Sequence, residues 1–89
     1  MKRLRITVSG KVQGVFFRAQ TEKKAKQLSV TGFVRNENDG SVYIEAQGVD
    51  EDLSEFLQWC KHGPERAEVE SVNLSEIPVS EDKSFRISR

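Results

Sequence analysis

A single cysteine, a single histidine and no net charge are the first constraints that this 89-residue sequence sets. One thiol cannot close an internal disulfide, and one histidine with one cysteine cannot assemble a zinc site of the usual ligand composition. Fourteen Lys and Arg offset fourteen Asp and Glu. No global field therefore draws the chain to nucleic acid or an anionic membrane, and any anion must be held by a local site. No uninterrupted apolar run approaches the roughly 18 residues of a membrane span. The opening Met1-Lys2-Arg3-Leu4-Arg5 also lacks the apolar stretch of a secretion signal. A reduced, cytoplasmic protein without membrane association is expected, in which the sequon-like Asn73-Leu74-Ser75 is a coincidence. Also missing are the Gly-Lys-Ser/Thr of a nucleotide P-loop, a dinucleotide fingerprint and a nucleophile elbow.

What is present fits one domain, residues 1–89, with a single core and about 4 to 13 kcal/mol of stability, needing no staple. Leu4, Ile6 and Val8 alternate with Arg5, Thr7 and Ser9, the period of a half-buried strand that Gly10 ends. Phe17, Thr21, Ala25 and Leu28 recur at helical spacing, with Glu22 and Lys26 as an outward pair four residues apart. Gly32 to Asn36 and Ser41 to Gln47 read as two strands joined through Asn38-Asp39-Gly40, a hairpin signal. Leu53, Phe56, Leu57 and Cys60 mark a second helix with Asp50 as its expected N-cap and Gly63-Pro64 as its end. Its acidic first turn and its Lys61-His62 end suit the helix dipole without invoking a site.

Val72 and Leu74 alternate as a further strand, with Val69 out of parity, which calls for a bulge or a late start. Phe85 and Ile87 mark a short closing strand, and Ser80 to Ser84 reads as an exposed loop without a role. Two amphipathic helices interleaved with four or five strands bury their stripes economically on one sheet face. The expected fold is an α+β, ferredoxin-like βαββαβ sandwich, with two helices on one face of a four- to five-stranded antiparallel sheet.

Cys60 falls on a helical apolar stripe, where an inert core thiol is the ordinary role, and Trp59 at that stripe's edge reads as core periphery. His62 reads as a capping residue. The segment that remains for chemistry is Gly10-Lys11-Val12-Gln13-Gly14-Val15-Phe16-Phe17-Arg18. Two glycines permit unusual dihedrals, and the loop runs into a helix start where unpaired amides and the positive dipole end converge, a geometry that suits phosphate. Arg18 would add a charged fork able to grip two phosphate oxygens. On spacing alone, a glycine-rich turn followed by a solvated arginine accounts for the same residues and is the commoner arrangement. Asn36, beside a hairpin, is likewise commonly a turn former.

Val8-Ser9-Gly10-Lys11-Val12-Gln13-Gly14-Val15-Phe16-Phe17-Arg18 resembles the first signature of the acylphosphatases, and Gly32 to Val42, continuing to Gly48, resembles the second. The order, the separation, the chain length and the derived topology agree with that family. The resemblance implies hydrolysis of acyl phosphates to carboxylate and inorganic phosphate, the latter both product and inhibitor, with no cofactor and no metal. It implies that Arg18 and the backbone amides of Gln13, Gly14, Val15, Phe16, Phe17 and Arg18 bind the phosphoryl group, and that Asn36 orients the attacking water. Phe16 stands where many members carry glycine, so its side chain either crowds the cradle or points outward.

Arg35 should face away from Asn36 by strand alternation. Lys11 is expected to be solvated, while Gln13, Gly32, Gly40 and Gly48 shape loops and turns. A monomer is expected, acting on a small molecule and binding neither nucleic acid nor membrane. The alternatives are a single-stranded RNA-binding module of the same topology and a phosphate-ligand-binding domain without catalysis.

Overall fold

Residues 1–88 are described by the computed structural model. The elements follow the expected order: β1 (Lys2–Lys11), α1 (Phe17–Gln27), β2 (Thr31–Asn36), β3 (Val42–Gly48), α2 (Asp50–His62), β4 (Glu68–Ile77) and β5 (Phe85–Ile87). The strands form one sheet in the order β4-β1-β3-β2-β5. Ile6, Val8, Val34 and Ile44 are fully buried on one sheet face, beneath Phe17 and Ala25 of α1 and Leu53, Phe56 and Cys60 of α2. The 3.6-residue spacing of the two helices thus meets the period-2 spacing of the strands in a single layer of side chains. Thr21, inside the α1 stripe, donates its hydroxyl proton to the Phe17 carbonyl at 2.7 Å. That bond lets a polar residue sit in the core at little cost.

The sheet is mixed, where an antiparallel one was expected. β1–β3, β1–β4 and β2–β3 are antiparallel, but β5 runs parallel to β2. The cause is the path of the chain. β4 ends beside the start of β1, with Ile77 opposite Arg3, so a chain turning back there must run in the direction of β1 and β2.

The connecting segment is an exposed loop, as expected, and is anchored to the sheet by its polar groups. Ser80 exchanges two hydrogen bonds with the Gln47 side chain, at 2.8 and 2.9 Å. Asp82 accepts from the buried Arg3 guanidinium at 2.7 Å. Arg3 also donates to Glu45 at 2.9 Å, so its charge is neutralised in place. The hydrogen bond from Arg3 holds the Asp82 carboxyl below its ordinary range.

Two further details refine the sequence reading. The out-of-parity Val69 is explained by a bulge: Ser9 faces Ser71 and Gly10 faces Val69, leaving Glu70 as the extra residue. The N-cap of α2 is Val49, with extended backbone and no side-chain cap bond, and Asp50 is the first helical residue. The acidic trio Asp50, Glu51 and Asp52 all lies inside the first turn, where charge and dipole complement each other without a capping bond.

Candidate active site

β1 and β2 are both antiparallel to β3 and therefore run in the same direction. Their C-terminal ends lie at one end of the sheet, so the β1–α1 loop and Asn36, the last residue of β2, are brought to the same place. β3 separates the two strands, and Gln13 bridges the gap. Its side-chain amide donates both protons to the hairpin, to the Glu37 carbonyl at 2.8 Å and the Ser41 carbonyl at 2.9 Å. The hairpin itself is closed by the Glu37 amide on the Ser41 carbonyl at 2.9 Å. Asp39 accepts from the Ser41 hydroxyl and amide at 2.6 and 2.9 Å, bonds that hold its carboxyl below the usual carboxylate range.

The loop departs from β1 at Gly10, φ 124°, where a Cβ would sit 2.2 Å from the Glu68 carbonyl oxygen. It turns again at Gly14, φ 74°, and enters α1 through Phe16, the N-cap, at φ 64° and ψ 20°. No side chain caps the helix. The first intrahelical bond runs from the Gln20 amide to the Phe16 carbonyl at 3.1 Å, so the amides of Phe17, Arg18 and Ala19 have no partner within the helix.

The electrostatics of this helix end are reversed relative to α2. The first turn of α1 contains no acidic residue and carries the cation Arg18, which the positive end of the helix dipole disfavours. Arg3, Arg35 and Arg86 each lie within 3.3 Å of a carboxylate oxygen. Arg18 has no carboxylate within ion-pairing distance among the described residues. Unneutralised positive charge and unpaired amides at one helix start make a site for an anion.

A cleft of about 380 Å³ opens there, lined by Val12, Gly14, Phe16, Phe17, Arg18, Ala19, Asn36 and Ile87. The Asn36 side chain stands in its wall, and Asn36 Oδ1 is buried with no hydrogen-bond partner among the described residues. An unsatisfied buried acceptor costs about 1–3 kcal/mol. A residue serving only the turn would have used it in the turn, which Asp39, Ser41 and Glu37 close without it.

Gly14, Phe16, Phe17, Arg18 and Asn36 thus line one cleft. Of the other two phosphate-loop residues, Val15 has its side chain buried and Gln13 spends its side chain on the hairpin. Phe16, 68% exposed, stands at the rim of the cleft and does not fill it. Arg35 lies on the helix-free face, its guanidinium 4.6 Å from the Tyr43 ring and paired with Glu37 at 3.3 Å. Lys11 is exposed. Cys60 is fully buried, and that burial pushes its thiol up to about 12, which leaves no thiolate for nucleophilic work at neutral pH. Sequence reasoning missed Ile87 and the clamp made by Gln13. Ile87 reaches the cleft only through the parallel pairing of β5, for which no local pattern exists. For Gln13 the signal was a polar side chain held between two loop glycines.

Residues 4–87 match the family model described as acylphosphatase. An acylphosphatase of Marinobacter nauticus is 48% identical over 82 residues, spanning 92% of this chain and 89% of that protein. The crystal structure of acylphosphatase from Bacillus subtilis superposes with a TM-score of 0.97 at 32% identity over the whole of both chains. An acylphosphatase from Coxiella burnetii gives 0.94 at 41% identity, covering 98% of this chain and 92% of that one.

Proposed function

The chain belongs to the acylphosphatase family and hydrolyses acyl phosphates, and from that premise we propose how its own residues perform the reaction. The Arg18 guanidinium and the backbone amides of Gln13 to Arg18 hold the phosphoryl oxygens. The Asn36 amide holds a water in line with the bond to be broken. Water oxygen attacks phosphorus, the P–O bond to the acyl group breaks, and the electron pair leaves with the carboxylate. The proton of the attacking water passes to a phosphoryl oxygen, so the products are carboxylate and inorganic phosphate.

Among the described residues Arg18 is the one ionisable side chain lining the cleft, and a guanidinium does not act as a base in proteins. Phosphoryl transfer tolerates this, since its loose transition state asks for positioning and charge stabilisation more than for covalent help. A good carboxylate leaving group removes the need for an acid. Neither metal nor cofactor takes part, and inorganic phosphate competes for the same cradle. The observation that carries this reading is the meeting, at one cleft, of Arg18, without an ion pair among the described residues, and Asn36, whose buried Oδ1 has no partner among them.

Residues 1–89 act as a single monomeric domain in the cytoplasm, on a small molecule. Among the described residues no helix is long and apolar enough to cross a membrane. No nucleic-acid partner is proposed, because zero net charge offers a phosphate backbone little attraction.

Phosphate release from benzoyl phosphate, with a chelator present, tests the reading. The parent enzyme should turn over undiminished by the chelator, and Arg18→Ala should lose about 10³-fold or more in kcat/KM, the scale of other arginines serving a transferring phosphoryl group. Normal turnover in Arg18→Ala overturns the proposed site.

A further inference from the structure

We propose that Phe16 selects the acyl group: its ring forms an apolar platform at the mouth of the cleft that favours acyl phosphates with apolar, aromatic or branched acyl groups over compact or charged ones. The inference rests on the acylphosphatase reading and adds a substrate class to it.

Two non-glycine residues among those described have positive φ, Phe16 at 64° and Ser29 at 58°. Ser29 is explained by the end of α1. There the Val30 amide reaches the Ala25 carbonyl at 2.9 Å and the Ser29 amide reaches the Lys26 carbonyl at 3.3 Å, a paired closure that requires a left-handed residue between. Phe16 has no such explanation in its side chain. The ring caps nothing, belongs to no part of the core, and is 68% exposed. Glycine or asparagine adopts this backbone more readily, so a phenylalanine here carries both backbone strain and an aromatic surface left in water. Strain of this kind persists where it serves a site.

The lining of the cleft says what the ring serves. Its polar side chains are Arg18 and Asn36, both engaged at the phosphoryl end, whereas Val12, Phe16, Phe17, Ala19 and Ile87 are apolar. Ile87 is itself 39% exposed. An acyl group extending from a phosphoryl group held at Arg18 therefore meets hydrocarbon. A charged or hydrogen-bonding acyl tail loses water there and finds no partner in return, while an aromatic tail gains contact with the Phe16 ring.

The experiment compares kcat/KM for benzoyl phosphate and acetyl phosphate in the parent, Phe16→Asn and Phe16→Tyr. Asparagine keeps the left-handed backbone without the ring, and thermal melts confirm that each variant folds. The benzoyl-to-acetyl ratio should fall about three- to tenfold in Phe16→Asn, the scale of one aromatic contact, and should stay within about twofold of the parent in Phe16→Tyr. An unchanged ratio in Phe16→Asn, whether both rates hold or both fall together, overturns the inference and leaves the acylphosphatase reading standing. Failure of the parent to hydrolyse either substrate overturns that reading, and this inference with it.

Discussion

On the proposed mechanism, Arg18 and Asn36 divide the work of the site along a line their chemistry dictates. A guanidinium offers fixed charge and several donors but no acceptor, so it suits the phosphoryl oxygens. A neutral amide supplies both an acceptor and donors, so it can orient a water without competing for the phosphate charge. Removing each should therefore leave a different defect. Asn36→Ala should lower kcat about 100-fold or more, the cost of a misplaced reactant, while the inhibition constant of inorganic phosphate stays within about threefold of the parent. Steady-state kinetics with phosphate as competitor read both quantities, and equal loss of turnover and phosphate affinity would make Asn36 a binding or folding residue instead. Both residues were legible in the sequence as candidates, but their individual patterns fitted a solvated arginine and a turn asparagine as well. The two signatures together favour the site reading, and the cleft that both residues line supports it.

At the scale of elements, α1 concentrates the strain and the function at its two ends. Its start is left uncapped and free of acidic residues, which weakens the helix and opens it to an anion. Its end is closed by Ser29 in a conformation that costs a non-glycine residue about 1–2 kcal/mol. Ser29→Gly removes that cost against a loss of about 0.5–1 kcal/mol from the freer unfolded chain, and should raise stability by about 0.5–1 kcal/mol. For a domain of this size the melting temperature should rise about 3 to 6 °C, measured by thermal denaturation. A fall would mean that the serine side chain stabilises the folded state in some way the backbone does not show.

The same scale shows what the sequence carried and where it stopped. The alternation of Leu4, Ile6 and Val8 and the helical recurrence of Phe17, Thr21 and Ala25 named the core faces, because burial acts on every turn and every pleat. The parity break at Val69 announced its bulge. The direction of β5 was not legible, since three residues contain no trace of which neighbour they will meet. It follows from Arg3, Gln47 and Asp82 fixing a connection between residues distant in sequence. Likewise the Val49 cap has no side-chain signature, and the acidic residues beside it served the dipole instead.

For the molecule as a whole, zero net charge and a single core set a limit that the reaction respects. Zero net charge offers a diffusing anion little long-range steering, so an anion has to be held by local groups. Three other arginines are ion-paired: Arg3 with Glu45 and Asp82, Arg35 with Glu37, and Arg86 with Asp82. These pairs tie together side chains of the sheet's helix-free face, and the β1–α1 loop is held to the β2–β3 hairpin by the double hydrogen bond of Gln13. On the proposed mechanism a small fold suffices, because the chemistry needs two side chains and a few amides held in register, with the substrate supplying its own leaving group and proton acceptor. The central claim is that water attacks phosphorus directly in this cradle. Hydrolysis of benzoyl phosphate in water enriched in oxygen-18, followed by mass spectrometry of both products, tests it most directly. The label should appear in inorganic phosphate, one atom per molecule, with none in benzoate. Label in benzoate would place the attack at the carbonyl carbon and contradict the account.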